Sequence, residues 1–556
     1  MTGHSEPALS RRTLLRGAAG TAAAVMLGGC GATERTSRPR TLRLPSNSFG
    51  FPSPFGYIAG PGYVQMSYLY DSLLWKDASG RLLPWLARRH ERSRDGLTYT
   101  FELRPGVTWH DGRPLTAADV AFTFEYFARQ SLGPLLVAQP FGVERARAIS
   151  SQVVQVRLKV PAVTFLESVA GALPIIPKHV WSSIEDAPRA QERSVLVGTG
   201  PYRLASYAPG EGALLFTANE RYFLGSPFVR RLELVPVDDE LRALAAGQID
   251  AAATATEGAG RDVLAPFRGA DYGTVSSTGS FSFPLIFNLG RGGALADVRF
   301  RRACALAIDR RAIVQRLLGG QGEPGSAGFL PRGHAFAVDV PEHAFDPAAA
   351  NRLLDAAGYR RGPGGVRRDD RGRRLRYKLL TGNSPVPPML DLLIASLGAV
   401  GVEVRPQAVD LPTLFGRLQE GADDMALSLY PGPGGTAPDA DPDTLRTFFA
   451  STVKGRLQGA QGWVHPQFDR LAGRQLVTAD IAARRVLVGR MQRIVAAELP
   501  ALALYYPTLF HVFRRRAFDA WYHTPGGFAG GLPGVLNKHA FITGTKTGLK
   551  VRRSSG

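Results

Sequence analysis

Apolar residues recur along the chain with two spacings, one typical of strands and one typical of helices. Segments of the two kinds alternate along the chain. The stretches 41–44 and 99–103 alternate apolar and polar residues, which predicts short strands. Val120, Phe124 and Phe127 repeat at i, i+4 and i+7, which predicts an amphipathic helix. Because helical and strand-like segments alternate in this way, the pattern predicts an α/β or α+β fold.

The predicted helices begin at recognisable capping residues. Thr116 is followed three residues later by Asp119, close to a capping box. Asp297, Asp309 and Asp346 precede three further helical stretches, and Asp346 is followed by Pro347, which favours the first helical turn. A later helix ends before Pro500, and residues 501–506 then predict a strand.

The stretch from Pro45 to Tyr63 predicts a loop rich in aromatic residues. Its aromatic side chains are Phe49, Phe51, Phe55, Tyr57 and Tyr63. Such side chains bury a large area at low entropic cost, so they suit the wall of a ligand cleft. They also suit a packed surface loop, and the sequence leaves both interpretations open.

The composition limits the class of protein. With 556 residues, of which 44% are hydrophobic, the chain can form three or four packed lobes. Only two cysteines are present, which excludes a disulfide-stapled scaffold and a structural zinc site of the Cys₄ type. The histidines are dispersed, and we expect neither a metal site nor a cofactor.

The formal net charge is +20, and arginine supplies most of the positive charge. The arginines are spread along the chain without a nucleic-acid-binding motif, so we predict no nucleic-acid partner. One dense cluster flanks the turn signal Asp369-Asp370-Arg371-Gly372 and comprises Arg360, Arg361, Arg367, Arg368, Arg371, Arg373, Arg374 and Arg376. A solvated hairpin is the simpler interpretation, and attraction to anionic lipid or wall polymer is the alternative.

The first thirty residues are typical of a targeting signal. Ser10–Arg16 is basic, Gly17–Met26 is weakly apolar, and Leu27-Gly28-Gly29 precedes Cys30. The paired arginines resemble a twin-arginine signal, and the ending resembles a bacterial lipobox. We therefore predict a signal peptide over 1–29, lipidation of Cys30 and a lipidated tether over 30–39. That places the protein outside the cytoplasm, anchored to the outer face of the cell membrane.

Three other features have simple interpretations. Cys304 lies in an apolar helical context and is predicted to be a core residue. No helix pattern follows Gly198-Thr199-Gly200, so this segment is predicted to be a close backbone passage into a strand rather than a phosphate cradle. His110-Asp111 is predicted to be a structural turn rather than part of a catalytic dyad.

Seven segments together resemble a known family, the extracytoplasmic solute-binding proteins of family 5, which bind oligopeptides, dipeptides or nickel for ABC importers. These segments, in order, are Leu103–Gly112, Leu115–Val120, Gly198–Tyr202, Phe287-Asn288, Ala307–Arg310, Asp346-Pro347 with Leu353–Tyr359, and Glu498–Tyr505. The resemblance implies a three-lobed, hinge-closing fold of the type II periplasmic-binding-protein kind with an extra domain. It also implies a non-enzymatic, monomeric protein that delivers a small, peptide-like solute to ABC permease subunits.

The family pattern assigns domains to this chain. Domain I is expected at about 40–70, 198–284 and 505–545, domain II at 71–197 and domain III at 285–504. The solute is expected between domains I and III, which close by a hinge motion. The basic segment 546–556 is predicted to be a disordered tail.

The resemblance also suggests ligand-binding residues. Peptide-binding relatives carry an acid in a Trp-rich loop, which pairs with the α-ammonium of the peptide. The equivalent stretch here, residues 426–435, has no acid before Asp439 and Asp441. Ser428 and Tyr430 are the predicted cleft residues, Asp439 and Asp441 are either amine partners or turn caps, and Phe49, Tyr63 and Trp463 are predicted wall residues.

Two other functional classes compete with this interpretation. A membrane-anchored hydrolase is one, although Gly-x-Ser-x-Gly, His-Glu-x-x-His and Ser-x-x-Lys sets are missing from plausible contexts. A receptor that senses a ligand without transporting it is the other. Nickel or haem as the solute is a minority alternative within the family.

Overall fold

The computed structural model describes most of the chain and gives it a mixed α/β fold. It describes residues 41–46, 50–56, 60–79, 81–130, 142–208, 210–254, 261–278, 281–382, 387–428, 430–431, 441–453, 461–522 and 538–549. The strands are β1 (Thr41–Ser46), β2 (Leu74–Lys76), β3 (Leu82–Pro84), β4 (Ala87–Arg92), β5 (Thr98–Leu103), β6 (Val143–Ala148), β7 (Val153–Leu158), β8 (Tyr202–Ala208), β9 (Ala213–Ala218), β10 (Arg231–Pro236), β11 (Ala251–Thr254), β12 (Tyr272–Thr278), β13 (Phe281–Ser282), β14 (Pro284–Phe287), β15 (Gly322–Pro324), β16 (Arg360–Arg361), β17 (Arg367–Arg368), β18 (Arg376–Gly382), β19 (Glu403–Val409), β20 (Met425–Leu427), β21 (Tyr430–Pro431), β22 (Ala501–Ala503) and β23 (Tyr505–Arg514).

The α-helices lie among these strands, but the predicted alternation is incomplete, because β2–β5 and β8–β10 follow one another without an intervening α-helix. They are α1 (Gly60–Leu69), α2 (Ala117–Arg129), α3 (Lys178–Trp181), α4 (Glu240–Ala245), α5 (Val298–Ala307), α6 (Arg310–Leu318), α7 (Pro347–Ala356), α8 (Pro387–Ala399), α9 (Leu411–Glu420), α10 (Thr444–Phe449), α11 (Pro466–Val477), α12 (Ile481–Glu498) and α13 (Lys538–Thr543). The predicted capping box at Thr116 and Asp119 is present at the start of α2. Asp297, Asp309 and Asp346 cap α5, α6 and α7 through their side chains, as the sequence predicts.

The described residues form two regions, which we define by their hydrophobic cores. The terminal region comprises the described residues within 41–278 and 508–549. Its main cluster joins residues from β1, α1, α2, the strands up to β10 and the C-terminal segment. The middle region comprises the described residues within 284–507, and its two clusters draw on this range. The chain therefore enters and leaves the middle region from the terminal region.

The middle region is built on a five-stranded sheet in the order β19-β18-β20-β14-β22. β18 pairs in parallel with β19 and β20, whereas β14 is antiparallel to both of its neighbours. Leu285 and Phe287 of β14 face one hydrophobic cluster and Ile286 faces the other. The sheet is thus covered on both faces at β14, which explains why β14, β20 and β22 are apolar runs, whereas β18 and β19 carry charged residues.

The terminal region contains two four-stranded sheets, in the orders β1-β10-β9-β8 and β4-β5-β7-β6. A further sheet, β11-β23-β12, carries the C-terminal strand. The helix α13 contributes six buried residues to the terminal region, and its Lys538 is fully buried. One hydrophobic cluster spans residues of the predicted domains I and II. The three-domain boundaries therefore stay a prediction.

Three local predictions differ from the structure. The aromatic loop is shorter than predicted, because β1 extends to Ser46 and α1 begins at Gly60, so Tyr63 lies in a helix. Residues 63–69 of α1 are all buried, and a helix that is buried on every side lacks the period that identifies it in a sequence. The predicted strand 501–506 is two strands, β22 and β23, which are interrupted at Leu504.

The third difference concerns the predicted tail, 546–556. The carbonyl of Lys546 accepts a hydrogen bond from the backbone N–H of Ala78 at 3.1 Å. The side chain of Leu549 packs against the main cluster of the terminal region. The start of the predicted tail is therefore attached to the protein body, and residues 550–556 lie outside the described residues.

Candidate functional site

One strand, β23, belongs to both regions. Residues 505–507 pair with β15 of the middle region, and residues 508–514 pair with β12 and β11 of the terminal region. The change of partner occurs between Pro507 and Thr508, without a break in the strand. A single continuous strand can therefore transmit a rotation of one region relative to the other.

A second connection runs beside the first. The chain passes from β12 in the terminal region through the short β13 to β14 in the middle region. Leu504 donates its backbone N–H to the carbonyl of Phe283 at 3.1 Å, and the rings of Phe283 and Tyr505 stack at a centroid distance of 5.3 Å. We call residues 281–284 and 504–508, together with Ser428, Tyr430 and Pro431, which lie opposite 281–284, the crossover. The two connections lie side by side, and both change their pairing partners at the crossover. Such an arrangement is typical of a hinge between two regions.

The crossover carries two buried hydroxyl groups without a partner. Ser282 of β13 is fully buried and Ser428, just after β20, is 3% exposed. Neither side-chain Oγ has a hydrogen-bond partner among the described groups. A buried polar group that is left unsatisfied costs about 1–3 kcal/mol, so such groups mark a position where a further polar partner stabilises the protein.

The two serines lie on one face of the same ribbon. Ser282 is opposite Tyr430 in the antiparallel β13–β21 pair, and Ser428 donates its backbone N–H to Pro284 at 3.3 Å. Residues opposite each other and residues two apart on one strand share a face. Ser282 and Ser428 therefore occupy diagonal register positions on that face.

A backbone hydrogen bond also joins the terminal region to the middle region. The backbone N–H of Val163, in the terminal region, donates to the carbonyl of Leu476 near the end of α11, at 2.9 Å. This hydrogen bond involves neither connecting strand. It is a contact between the two regions that a hinge rotation would make or break.

Of the residues predicted to bind the solute, Ser428 and Tyr430 lie at the crossover. Tyr430 stands in β21, at the register position opposite Ser282. Ser282 was not predicted, because residues 281–284 carry neither a turn signal nor a charged group. A search for polar residues flanking an apolar strand would have included it together with many others.

Two other predicted site residues, Tyr63 and Trp463, have partners elsewhere. Tyr63 is buried in the terminal region and donates its hydroxyl to the carbonyl of Ala172 at 2.7 Å. Trp463 is buried against Phe468, with ring centroids 5.1 Å apart. Both residues have core contacts, so a role as cleft walls stays a prediction.

Asp441 forms a buried ion pair. Its two oxygens accept hydrogen bonds from the Arg484 guanidinium at 2.6 and 2.8 Å. Burial raises the pKa of the Asp441 carboxyl, although the Arg484 guanidinium opposes that shift. In this structure the carboxylate therefore serves Arg484, and its role as an amine partner stays a prediction. Phe49, Asp439 and Cys30 lie outside the described residues.

The central part of the chain matches a known protein family. Residues 81–455 match the profile of the bacterial extracellular solute-binding proteins, family 5 Middle. That range covers more than half of the chain and includes the middle region's β14, β18 and β20. The chain belongs to this family.

Known relatives agree with the family assignment. Protein XP55 of Streptomyces lividans is 33% identical over 332 residues, which is 59% of this chain and 59% of that protein. A putative ABC transporter peptide-binding protein of Brucella ovis is 28% identical over 421 residues, covering 68% of this chain and 74% of the relative. The alignment thus spans less than two thirds of XP55.

A solved structure shows the same fold. The oligopeptide-binding protein AppA from Bacillus subtilis, solved in complex with a nonapeptide, superposes with a TM-score of 0.72 at 20% sequence identity. The superposition covers 88% of this chain and 97% of AppA. The predicted fold of a three-lobed solute-binding protein is therefore confirmed.

Membership of family 5 also decides the question of catalysis. Proteins of this family are non-catalytic receptors for solutes, so the hydrolase alternative is wrong for this chain. His110 has a structural role, as predicted. Its Nδ1 accepts a hydrogen bond from the backbone N–H of Gly198 at 3.3 Å, and its Nε2 lies 3.0 Å from the carbonyl oxygen of Gly200. Burial lowers the pKa of His110 to about 4, so the ring is neutral at physiological pH.

The same contact explains the glycine-rich segment. A Cβ on Gly198 would lie 1.8 Å from the carbonyl oxygen of Leu69, and a Cβ on Gly200 would lie 2.4 Å from that of Tyr68. No side chain fits between these backbones, so the predicted close passage is confirmed. Two segments of the family pattern, around His110 and around Gly198, are thus parts of one packed unit.

The described residues can also be compared with the requirements for binding a metal ion and for crossing a membrane. Within the described ranges, His, Cys, Asp and Glu side chains form no group that could hold a metal ion. Cys304 is fully buried, and burial raises the pKa of its thiol, as expected for a core residue. No helix in the described part of the chain has the length and apolarity needed to cross a bilayer.

Proposed function

We propose that this family 5 chain is the substrate-binding component of an ABC importer and captures a peptide or peptide-like solute. The crossover between the terminal and middle regions is the proposed binding site. The observation that carries this proposal is the pair of buried, unpartnered hydroxyls of Ser282 and Ser428 on one face of the β13–β21 ribbon. A solute with amide groups supplies hydrogen-bond partners for both.

The names of relatives support the class of solute. The Brucella ovis relative is named as a peptide-binding protein, and AppA was solved with a nonapeptide. A hinge between two regions supports capture and release, because closure buries the solute and opening releases it to a permease. The bond between Val163 and Leu476 belongs to the closed arrangement in this proposal.

Peptide binding is tested with a defined mixture of tripeptides. We expect native mass spectrometry of the purified protein to show peptide adducts. The double variant Ser282→Ala/Ser428→Ala should lose about tenfold in affinity for those peptides, since each lost hydrogen bond contributes about 0.5–1.5 kcal/mol. Its unfolding midpoint should stay the same or rise, because the orphaned hydroxyls are removed.

A matched control separates binding from stability. Ser67 is also buried, but its hydroxyl donates to the carbonyl of Val64 at 2.7 Å. Ser67→Ala should therefore lower stability and leave peptide affinity unchanged. Equal peptide affinity in the wild type and the double serine variant would contradict the proposed site, and the absence of any peptide adduct would contradict the proposed solute class.

We also propose that Cys30 is lipidated and holds the protein on the outer face of the cell membrane. The basic segment, the apolar segment and Leu27-Gly28-Gly29 before Cys30 support this proposal. Cys30→Ala should release the protein into the medium or periplasm, as measured by cell fractionation. Membrane association of that variant equal to the wild type would contradict the lipid anchor.

A further inference from the structure

An arginine-rich segment of the middle region forms an exposed meander, which we call the arginine hairpin and define as residues 360–376. Arg360–Arg361 pairs with Arg367–Arg368, and Arg368 forms a second bridge to Arg374. Two tight turns, at 362–365 and 369–372, join these segments. Three short extended segments thus lie side by side and carry eight arginines, of which all but Arg367 are at least partly exposed.

One of these arginines is structural. Arg367 is 1% exposed and donates hydrogen bonds to the carbonyl of Val400 at 2.8 Å and to the side chain of Asn351 at 2.8 Å. Its guanidinium also contacts Asp355 and the carbonyl of Tyr359. Arg367 therefore anchors the arginine hairpin to the middle region, and its charge is compensated.

Two more arginines face a carboxylate. Arg373 donates to Asp369 at 2.7 Å, and Arg376 lies 2.7 Å from Glu403. These pairs are at the surface, where they add little attraction for a distant anion. Arg367 lowers the pKa of the Asp355 carboxyl, and Arg360 and Arg361 also lie close enough to lower it, without forming a salt bridge with it.

Five arginines of the hairpin form no salt bridge with a described carboxylate: Arg360, Arg361, Arg368, Arg371 and Arg374. Arg361 and Arg368 donate to neutral carbonyl oxygens, of Ala399 at 2.8 Å and of Gly372 at 2.7 Å. Arg360, Arg371 and Arg374 are exposed and make no described side-chain hydrogen bond. Asp370 is the exposed acid of the same turn, so the local positive charge is strongly in excess.

We propose that the arginine hairpin is an electrostatic docking surface for the anionic phospholipid headgroups of the membrane. The charge complementarity is direct, because guanidinium groups pair with phosphate in a forked geometry. Each arginine close to an anionic bilayer adds to the attraction, which decays within a Debye length and is therefore sensitive to salt. Family 5 proteins act outside the cytoplasm, where such a surface meets the bilayer.

The occupant is a lipid surface rather than a small anion for a geometric reason. The positive charges lie along an exposed meander and its two turns instead of converging in a cavity, so they match an extended charged plane. This inference does not depend on the identity of the solute. It also does not require lipidation of Cys30, although a basic surface and a single acyl anchor would act together.

The test is co-sedimentation with vesicles of phosphatidylcholine, with and without phosphatidylglycerol, at low and high salt. The full chain carries Cys30→Ala, so that an acyl anchor does not contribute. Wild-type hairpin protein should partition onto the phosphatidylglycerol vesicles at low salt and be released at high salt. Arg360→Gln/Arg371→Gln/Arg374→Gln should lower this partitioning by about a hundredfold.

A matched control keeps the net charge equal. Arg311, Arg316 and Arg490 are exposed arginines of the middle region, outside the arginine hairpin, that make no described side-chain hydrogen bond or ion pair. Arg311→Gln/Arg316→Gln/Arg490→Gln removes the same charge, and it should keep most of the partitioning. Circular dichroism of both triple variants checks that the fold is intact.

Three results would overturn the proposal. Equal loss of partitioning in the two triple variants would show that only net charge matters. Absence of wild-type partitioning onto anionic vesicles would exclude a lipid surface. Solute uptake that is lost in the hairpin variant, while vesicle binding is absent in the wild type, would assign the surface to an acidic partner protein instead.

Discussion

Lys538 of the terminal region and Arg301 of the middle region are both buried cations, and their charges are compensated in different ways. In the terminal region, Lys538 pairs with Asp71 at 2.7 Å, and both side chains are fully buried. In the middle region, Arg301 is 1% exposed and donates to the carbonyls of Leu295 at 2.8 Å and of Leu499 at 3.0 Å. The terminal region thus buries a lysine against a carboxylate, whereas this buried arginine of the middle region serves backbone oxygens.

The difference follows from the path of the chain. Asp71 also accepts hydrogen bonds from Trp85, Thr199 and Tyr222, at 2.8, 2.9 and 3.1 Å. A single buried acid therefore connects segments that are far apart in sequence and includes the C-terminal one through Lys538. The middle region is one continuous stretch, and Arg301 there completes the hydrogen bonding at the end of α12.

The largest effect should come from breaking the buried ion pair of the terminal region. Lys538→Met leaves Asp71 buried without its cation, which should lower the free energy of unfolding by about 3–5 kcal/mol. The urea midpoint measures this loss. Lys178 is exposed and makes no described ion pair, so Lys178→Met should leave the midpoint unchanged.

The double variant Lys538→Met/Asp71→Asn should recover part of that stability, because it removes the uncompensated charge. Equal midpoints for Lys538→Met and Lys178→Met would show that the buried pair does not connect the segments of the terminal region. The comparison between the two regions would then fail.

A smaller effect is expected from acid in the terminal region. Burial lowers the pKa of His110 to about 4, below its unfolded value, so the unfolded state binds more protons below about pH 6.5. The stability from neutral His110 is present above that pH and should fall by about 3 kcal/mol as the pH approaches 4. Urea unfolding at a series of pH values measures the slope.

The variant His110→Gln should flatten that slope while lowering stability at neutral pH. His179 is paired with Asp111 at the surface side of the same turn, and His179→Gln is the matched control. A slope that is the same in His110→Gln and in the wild type would assign the acid sensitivity to other groups.

Removing the buried arginine of the middle region should have a moderate effect. Arg301→Met leaves the carbonyls at the end of α12 without their donors, which should cost about 2 kcal/mol. The neighbouring Arg302 donates to one carbonyl, of Ala497 at 2.8 Å, and is more exposed. Arg302→Met should therefore cost less than Arg301→Met in the same urea titration, and the reverse order would be evidence against the carbonyl role of Arg301.

The smallest effect concerns the contact between the regions. Val163 stands at the second position of a turn closed by the bond from Phe165 to Ala162, a position that favours proline. Val163→Pro removes only the N–H that donates to Leu476. It should shift the equilibrium toward separated regions by about fivefold, since a net hydrogen bond contributes about 1 kcal/mol.

Energy transfer between labels on cysteines introduced at Arg147 and Ile481, which are both exposed, measures that shift. Val163→Ala keeps the N–H and serves as the control. Identical transfer in the proline and alanine variants would mean that this hydrogen bond does not hold the two regions together.

Local signals in the sequence predicted most of the secondary structure. The caps at Asp297, Asp309 and Asp346 mark the starts of three helices correctly, because a cap depends on residues within one turn. Helix α1 escaped prediction, since its residues 63–69 are all buried. The break at Leu504 also depends on partners that are distant in sequence, because β22 and β23 pair with different strands.

The candidate site was less accessible from sequence. Ser428 and Tyr430 follow from the family pattern, but nothing local distinguishes Ser282 from other serines. Its significance depends on burial, and burial depends on how the crossover packs. From sequence, Asp441 was either an amine partner or a turn cap. Its carboxylate accepts the backbone N–H of Asp443 at 2.8 Å, and the fold also brings Arg484 from a helix some forty residues away to pair with it.

The sequence alone determined the mixture of helices and strands, the caps, the close backbone passage at Gly198 and the family to which the chain belongs. These features depend on neighbours in sequence or on residue patterns that can be read directly. Only the tertiary structure decided which charges are buried together, which strand changes partner at the crossover, and which hydroxyls remain without a partner. Those properties arise from contacts between residues far apart in the chain, and the energy of a buried polar group is set by whichever partner the fold places beside it.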